Sequence, residues 1–409
     1  MKTKAILLLT AATGALAAGA DETGHRINAF GLELHQRIVA EAPGNAVFSP
    51  WSIQSALGMT YAGANGVTRE DMANVLHFGK DEDAVHRGFA GLNAALLGIV
   101  EDSAIRIEEA EQDGGNNRPL EINIANSLFG QQGYPFEQAF LETLQLTYEA
   151  PLQLMNFATG ADASRLSINE WAEQNTQGRI KDLLPDGSID GLTRLVLANA
   201  VYFNAPWRNS FSDGETFEFA VDGTDQTSVP MLESTASFGH MDIPGGTAIT
   251  VPYADEGIHL LILLPDEDSS LAEFEKQLIP GILDQAAKAP EARIRLRMPS
   301  FKIEPGALEL SDHLAAMGMP SAFGDGADFS RMSPNAMADQ LSISSVVHQA
   351  FVAVDKYGTE AAAATAVVMQ ARSLPPRPVE VRIDRPFVFA IQHTDSAACL
   401  FLGRITDPR

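Results

Sequence analysis

The chain predicts a single α+β domain, and three observations point to it. Helical periodicity dominates the first part, and strand patterns dominate the later part. No Pro/Gly/Ser-rich linker, internal repeat or sharp change of composition divides the 409 residues. Length alone would allow two or three average domains, so the missing boundary carries the argument.

The helices come first. Residues 27–40 space Ile27, Phe30, Leu34 and Ile38 on one stripe. Ser49 is placed to cap a second helix that Pro50 opens and Gly63 ends. Thr68-Arg69-Glu70-Asp71 reads as a capping box for a short helix to Leu76. Residues 82–100 form a further helix, and the acidic stretch 101–119, with Gly114-Gly115-Asn116-Asn117, is expected to be an exposed loop. Helices are also expected over 135–146, 161–176, 272–287 and 308–317.

The strands follow a different pattern. Residues 120–129 alternate, whereas 194–203 carry the continuous run Leu195-Val196-Leu197-Ala198 of a strand covered on both faces. Several strands are expected between 217 and 264, then over 294–303, 347–354, 379–383, 387–392 and 399–405.

Charge and targeting narrow the partners. With 28 basic against 53 acidic residues the net charge is −25, which argues against nucleic acid or an anionic membrane surface. Lys2 and Lys4, the apolar run 5–16 and Ala18-Gly19-Ala20 read as a cleavable signal peptide (residues 1–20), so the mature chain, 21–409, is expected to be secreted or periplasmic. The one cysteine, Cys399, has no internal disulfide partner and is read as a packing residue.

After the strand ending at Val354, a Gly pivot leads into a tract of small side chains: Gly358, Thr359, Glu360, Ala361, Ala362, Ala363, Ala364 and Thr365. Alanine suits a helix. Small side chains also meet little resistance on entering a sheet, where Thr359, Ala361, Ala363 and Thr365 would share one face. A solvent-exposed linker is the plain alternative. Beyond the tract, Arg372-Ser373 is the kind of bond a trypsin-like protease cuts.

Several segments together resemble the serpin family of suicide protease inhibitors. They are Phe48-Ser49-Pro50-Trp51-Ser52-Ile53, Ala62-Gly63-Ala64-Asn65-Gly66, Asn169-Glu170-Trp171, and the run from Leu195 through Asn199 to Trp207. Ala327-Asp328-Phe329-Ser330, Val347-His348-Gln349-Ala350-Phe351, the Gly358–Thr365 hinge and Asp384-Arg385-Pro386-Phe387 complete the set, in order, over the whole mature chain.

The resemblance implies a fold of three β-sheets, eight to nine helices and a reactive-centre loop at about 356–380. Once cut, that loop enters the largest sheet. Strand insertion with release of stored strain is a documented serpin device. Counting from Gly358 as the family does places the reactive bond at Arg372-Ser373. Arg377 precedes Pro378 and is a poorer site, and Met369 or Leu374 would serve other proteases. Ser49, Ser52, Asn199 and His348 match the family's polar cluster beneath the opening sheet, and Trp207 matches an aromatic at the loop's entry. Ordinary capping and core packing would account for the same residues. Lys356 departs from the family, which carries an acidic residue there.

The implied partner is a trypsin-like serine protease held in a covalent acyl-enzyme. The protein is expected to be a monomer that can polymerise. No cofactor or metal is implied, and the acidic end of the helix beginning at Glu82 speaks against heparin. No Gly-x-Ser-x-Gly elbow, zinc-binding His pair or phosphate loop supports an enzyme. A non-inhibitory serpin and an inhibitor of cysteine proteases are the remaining alternatives.

Overall fold

The computed structural model describes residues 2–112, 119–222, 225–359 and 377–409. The stripe of Ile27, Phe30, Leu34 and Ile38 lies buried on α1 (Lys2–Glu41). After β1 (Ala46–Phe48) comes α2 (Pro50–Gly63), on which every residue is buried. A helix covered all round belongs inside a core. Ser49 caps it as expected: its backbone is extended and its Oγ accepts the Ser52 N–H at 3.1 Å.

Helix α3 (Gly66–Val75) starts earlier than the capping box predicted. Asn65 occupies the cap position, and the Thr68 hydroxyl instead accepts the Asp328 N–H at 2.9 Å. Helix α4 (Glu82–Gln112) runs through the first part of the stretch expected to be a loop. Residues 101–112 hold no Gly or Pro, and acidic charge alone does not break a helix. The Gly-rich end of that expected loop lies outside the described residues.

The chain continues through β2 (Glu121–Gln131), α5 (Gln138–Tyr148), β3 (Gln153–Met155), α6 (Phe157–Asn175) and β4 (Leu195–Pro206). Next come β5 (Ser212–Asp222), β6 (Asp225–Ile243), β7 (Gly246–Pro252) and β8 (Ile258–Pro265). The single helix expected over 272–287 is two, α7 (Leu271–Glu275) and α8 (Pro280–Ala286). Pro280 lacks the N–H to continue α7 and opens α8 instead.

Then follow β9 (Glu291–Pro299), β10 (Phe301–Ile303) and β11 (Leu308–Glu309). The last takes the first residues of the expected 308–317 helix because they pair with His348 and Val347, leaving α9 (Ser311–Met317). A 3-10 turn (Pro320–Ala322), β12 (Ser345–Val354), β13 (Gly358–Thr359), β14 (Val379–Arg382), β15 (Phe387–His393) and β16 (Cys399–Ile405) complete the order.

One sheet has seven strands, ordered β10-β12-β13-β4-β2-β3 with β11 on β12. The other strands form β1-β16-β15-β8-β7-β6-β9-β14, with β5 on β6. The 19-residue β6 serves two layers: residues 239–243 pair with β7, and residues 231–239 pair with β9. Where three sheets are expected, the described strands form two hydrogen-bonded sheets, because β6 is long enough to pair with both β7 and β9 and so joins their strands into one.

The seven-stranded sheet is covered on both faces. Along β4, Leu195, Leu197, Val201, Phe203 and Ala205 enter the main core. Val196, Ala198 and Ala200 face a second core with Ile168 and Ala172 of α6. Continuous burial of β4 is why its sequence reads as an unbroken apolar run. Cys399 is fully buried in the main core, and burial raises its thiol pKa.

Candidate functional site

Two strands of the seven-stranded sheet meet only over part of their length. β12 and β4 pair in parallel from Ser345↔Val196 to Phe351↔Tyr202. Above that they separate, and β13 fills the gap: Gly358 and Thr359 pair with Pro206 and Ala205, while Val354 pairs with Thr359. The sheet is closed below, and above it receives Gly358 and Thr359, the first two residues of the expected hinge. Only glycine fits at the first of them, because a Cβ on Gly358 would lie 2.1 Å from the Ala205 carbonyl oxygen.

Short polar side chains hold this entry in place. Asp355 Oδ1 accepts the N–H of Tyr357 at 2.7 Å and of Gly358 at 3.1 Å, which shapes the turn out of β12. Trp207 Nε1 donates to the Asp355 carbonyl at 2.8 Å, and its ring stacks on Tyr253 with centroids 4.5 Å apart. The Tyr253 hydroxyl is 2.6 Å from Thr359 Oγ1. Burial raises the Tyr253 pKa, so this phenol stays a neutral hydrogen-bonding group. Lys356 pairs with Asp213 of β5 at 2.7 Å, which raises its amine pKa, and its carbonyl accepts the Phe211 N–H. The charge that departs from the family pattern thus finds its own acidic partner.

Lower down, where β12 and β4 touch, lies a buried polar cluster. The Ser49 N–H donates to His348 Nε2 at 3.0 Å, so Nδ1 carries the proton and donates to Asn199 Oδ1. Asn199 Nδ2 donates to Ser52 Oγ at 2.5 Å and to Asn126 Oδ1, and the Ser52 hydroxyl donates to Asn126 Oδ1 at 2.8 Å. Burial lowers the His348 pKa to about 3, so the ring is neutral, as this tautomer requires. No buried side-chain nitrogen or oxygen of this cluster is left without a partner. The His348–Asn199 contact ties β12 to β4, and the serines tie that seam to α2.

The structure brings Ser49, Ser52, Asn199 and His348 together and sets Gly358, Thr359 and Trp207 at the upper end of the same two strands. Glu360, Ala361, Ala362, Ala363, Ala364, Thr365, Met369, Arg372, Ser373 and Leu374 lie outside the described residues. Sequence reading missed Asn126, Tyr253, Asp355 and Asp213. Asp355, immediately before the turn, could have been read as an Asx-type turn former. Asn126 and Tyr253 gave no local signal, since their partners are distant in the chain. Among the described residues no group of His, Cys, Asp and Glu side chains could hold a metal.

Comparison with known proteins agrees with this architecture. The model of the family described as serpin (serine protease inhibitor) matches residues 25–408. A serpin B10 of Papio anubis is 33% identical over 405 residues, covering 95% of this chain and 100% of the relative. A leukocyte elastase inhibitor of Bos taurus is 34% identical over 392 residues, covering 93% and 97%. Among solved structures, uncleaved ovalbumin superposes with a TM-score of 0.78 at 28% identity, covering 94% of this chain and 99% of that one. Cleaved Serpin 42Da gives 0.79 at 28% identity, covering 96% and 100%. The chain belongs to the serpin family of serine protease inhibitors.

Proposed function

We propose that the protein is a secreted, single-use inhibitor that traps trypsin-like serine proteases at the Arg372–Ser373 bond. The protease serine attacks the Arg372 carbonyl, the peptide bond to Ser373 breaks, and Ser373 leaves as a free amine. Arg372 remains esterified to the protease. The freed segment then enters the sheet between β12 and β4 and carries the protease with it.

The observation that carries this reading is the register of β13. Its pairings continue antiparallel to both neighbours, and those neighbours hold the same register to each other. Extending it would bring Thr365 opposite both Asn199 and His348, on the face that Thr359 already occupies. A threonine hydroxyl there would replace the direct bond that inserting a strand must break, leaving no buried group unpaired. The same register brings Met369 opposite Leu195 at the lower end of β4, so Arg372 would pass beyond the sheet. Travel along β4 is roughly 40 Å at about 3.3 Å per residue. New backbone bonds contribute roughly 0.5–1.5 kcal/mol each, so about ten of them set roughly 5–15 kcal/mol against the deformation of the protease.

Arg372 favours trypsin-like targets because its guanidinium suits a carboxylate-lined pocket. A second reading is favoured by the elastase inhibitor among the relatives: Met369 or Leu374 would present an uncharged residue to elastase-like, chymotrypsin-like or cysteine proteases. The N-terminal segment 1–20 is assigned as the secretion signal, cleaved near Ala20.

Incubation with trypsin, elastase and papain, followed by denaturing electrophoresis, tests this. A stable adduct with trypsin that Arg372→Ala abolishes is expected. An adduct with elastase or papain alone would move the bait bond. Cleavage with no adduct for any of the three would leave a non-inhibitory serpin.

A further inference from the structure

The residues that hold Thr359 are themselves held by a helix that sequence reading ended too early. Tyr253 opens the turn between β7 and β8. Two residues on, Asp255 is only 3% exposed. A carboxylate at that depth needs a cation or a proton. Among the described residues its salt-bridge partner is Arg106, on the part of α4 that had been expected to be a loop.

Helix α4 presses on this turn a second time, from Ile99, about two helical turns before Arg106. A Cβ on Gly257, whose φ is +101°, would lie 2.7 Å from Ile99 Cδ1. From the turn, the Ala254 N–H donates to the Pro206 carbonyl at 2.7 Å, and Pro206 pairs with Gly358. Arg106, Asp255, Tyr253 and Thr359 therefore form one connected path from α4 to the first seated residue of the hinge.

We propose that Arg106 is a positioning residue for trapping. By neutralising buried Asp255 it fixes the turn so that the Tyr253 hydroxyl meets Thr359 and keeps the hinge's first rung in place. This inference rests on the trapping reading above. After cleavage, insertion competes with hydrolysis of the acyl-enzyme. A rung already seated spares the inserting strand its nucleation step, in the way that a preformed turn spares a helix. Without the Arg106 cation, Asp255 turns toward water, the turn follows, and more molecules are hydrolysed before they insert.

The test compares wild type, Arg106→Gln, Arg106→Lys, Asp255→Asn and the double variant Arg106→Gln/Asp255→Asn against trypsin. Adduct and cleaved free inhibitor are quantified on denaturing gels, and melting midpoints and the rate of loop attack are measured alongside. For Arg106→Gln, we expect the ratio of cleaved inhibitor to adduct to rise roughly threefold, in the range of coupled neighbours, with the rate of attack unchanged. Arg106→Lys and the double variant should partition like wild type, since one restores the cation and the other removes the need for it.

If Arg106→Gln lowers the melting midpoint yet partitions like wild type, or if the double variant fails as badly as Arg106→Gln, the inference is overturned. Should wild type itself form no adduct, trapping of trypsin is what fails. The inference is then read from uptake of a synthetic peptide of residues 359–372 into the intact protein, followed by thermal shift. Faster uptake by Arg106→Gln, in which Thr359 no longer holds the position that residue 359 of the peptide would take, supports it, and equal or slower uptake overturns it.

Discussion

The Tyr253 hydroxyl and Thr359 Oγ1 lie 2.6 Å apart with both residues at 0% exposure, so the first hinge side chain is already a core residue. Thr359→Glu would bury a carboxylate beside a neutral phenol, at a cost of about several kcal/mol. The hinge would be expelled while the rest of the fold stays intact. Trypsin should then cleave the variant as a substrate, with the adduct lost on denaturing gels. An adduct at wild-type yield would mean that Thr359 does not lead an inserting strand.

Gly358 meets a backbone carbonyl, which cannot move aside as a flexible side chain can. Gly358→Ala should destabilise the protein by about 1–3 kcal/mol, as overpacking does. Urea unfolding of the intact form measures this. An unchanged midpoint would show that the Gly358–Ala205 approach is looser than described.

Burial also gives two histidines a pH signature, His348 of the polar cluster and His259 of β8. The His348 pKa is lowered to about 3 and that of His259 to about 4, whereas an unfolded histidine titrates near 6.5. Below about pH 6.5 the unfolded chain binds protons that these two rings refuse. Their contribution is therefore fully present above that pH and is lost as pH falls toward the folded values. Each ring's share falls by about 1.4 kcal/mol per pH unit within that window. His348→Gln should remove close to one proton from the pH dependence of unfolding between pH 4 and 6. The measurement is urea unfolding across that range, and an unchanged slope would contradict a neutral His348.

Lys356 and Asp213 lie at the surface, with Asp213 77% exposed, and such pairs contribute little to stability. Asp213→Asn should leave the thermal midpoint at its wild-type value. A clear drop would give this reversed charge a larger part in anchoring the loop.

Much of this arrangement was legible before the fold was known, because it depends on local rules. Ser49 with Pro50 announces α2, and the unbroken apolar run at Leu195 announces a strand covered on both faces. Asn199 and His348 were singled out by resemblance, but their direct bond depends on a register that no local pattern encodes. Tyr253 and Asn126 were invisible for the same reason: what gives each its role is a partner far along the chain. The stretch 101–112 was misread because its acidity suggested exposure, and exposure was taken for irregular backbone. Arg106 and Asp255 show what that misreading hid, a helix whose polar residue reaches a buried carboxylate.

The proposed mechanism requires the intact protein to be less stable than a cleaved form whose freed segment has entered the sheet. Cutting the chain once at Arg372 with a trace of trypsin, then melting cleaved and intact protein side by side, tests it most directly. The account predicts that the cleaved form melts far above the intact one. Coincident melting curves would contradict it.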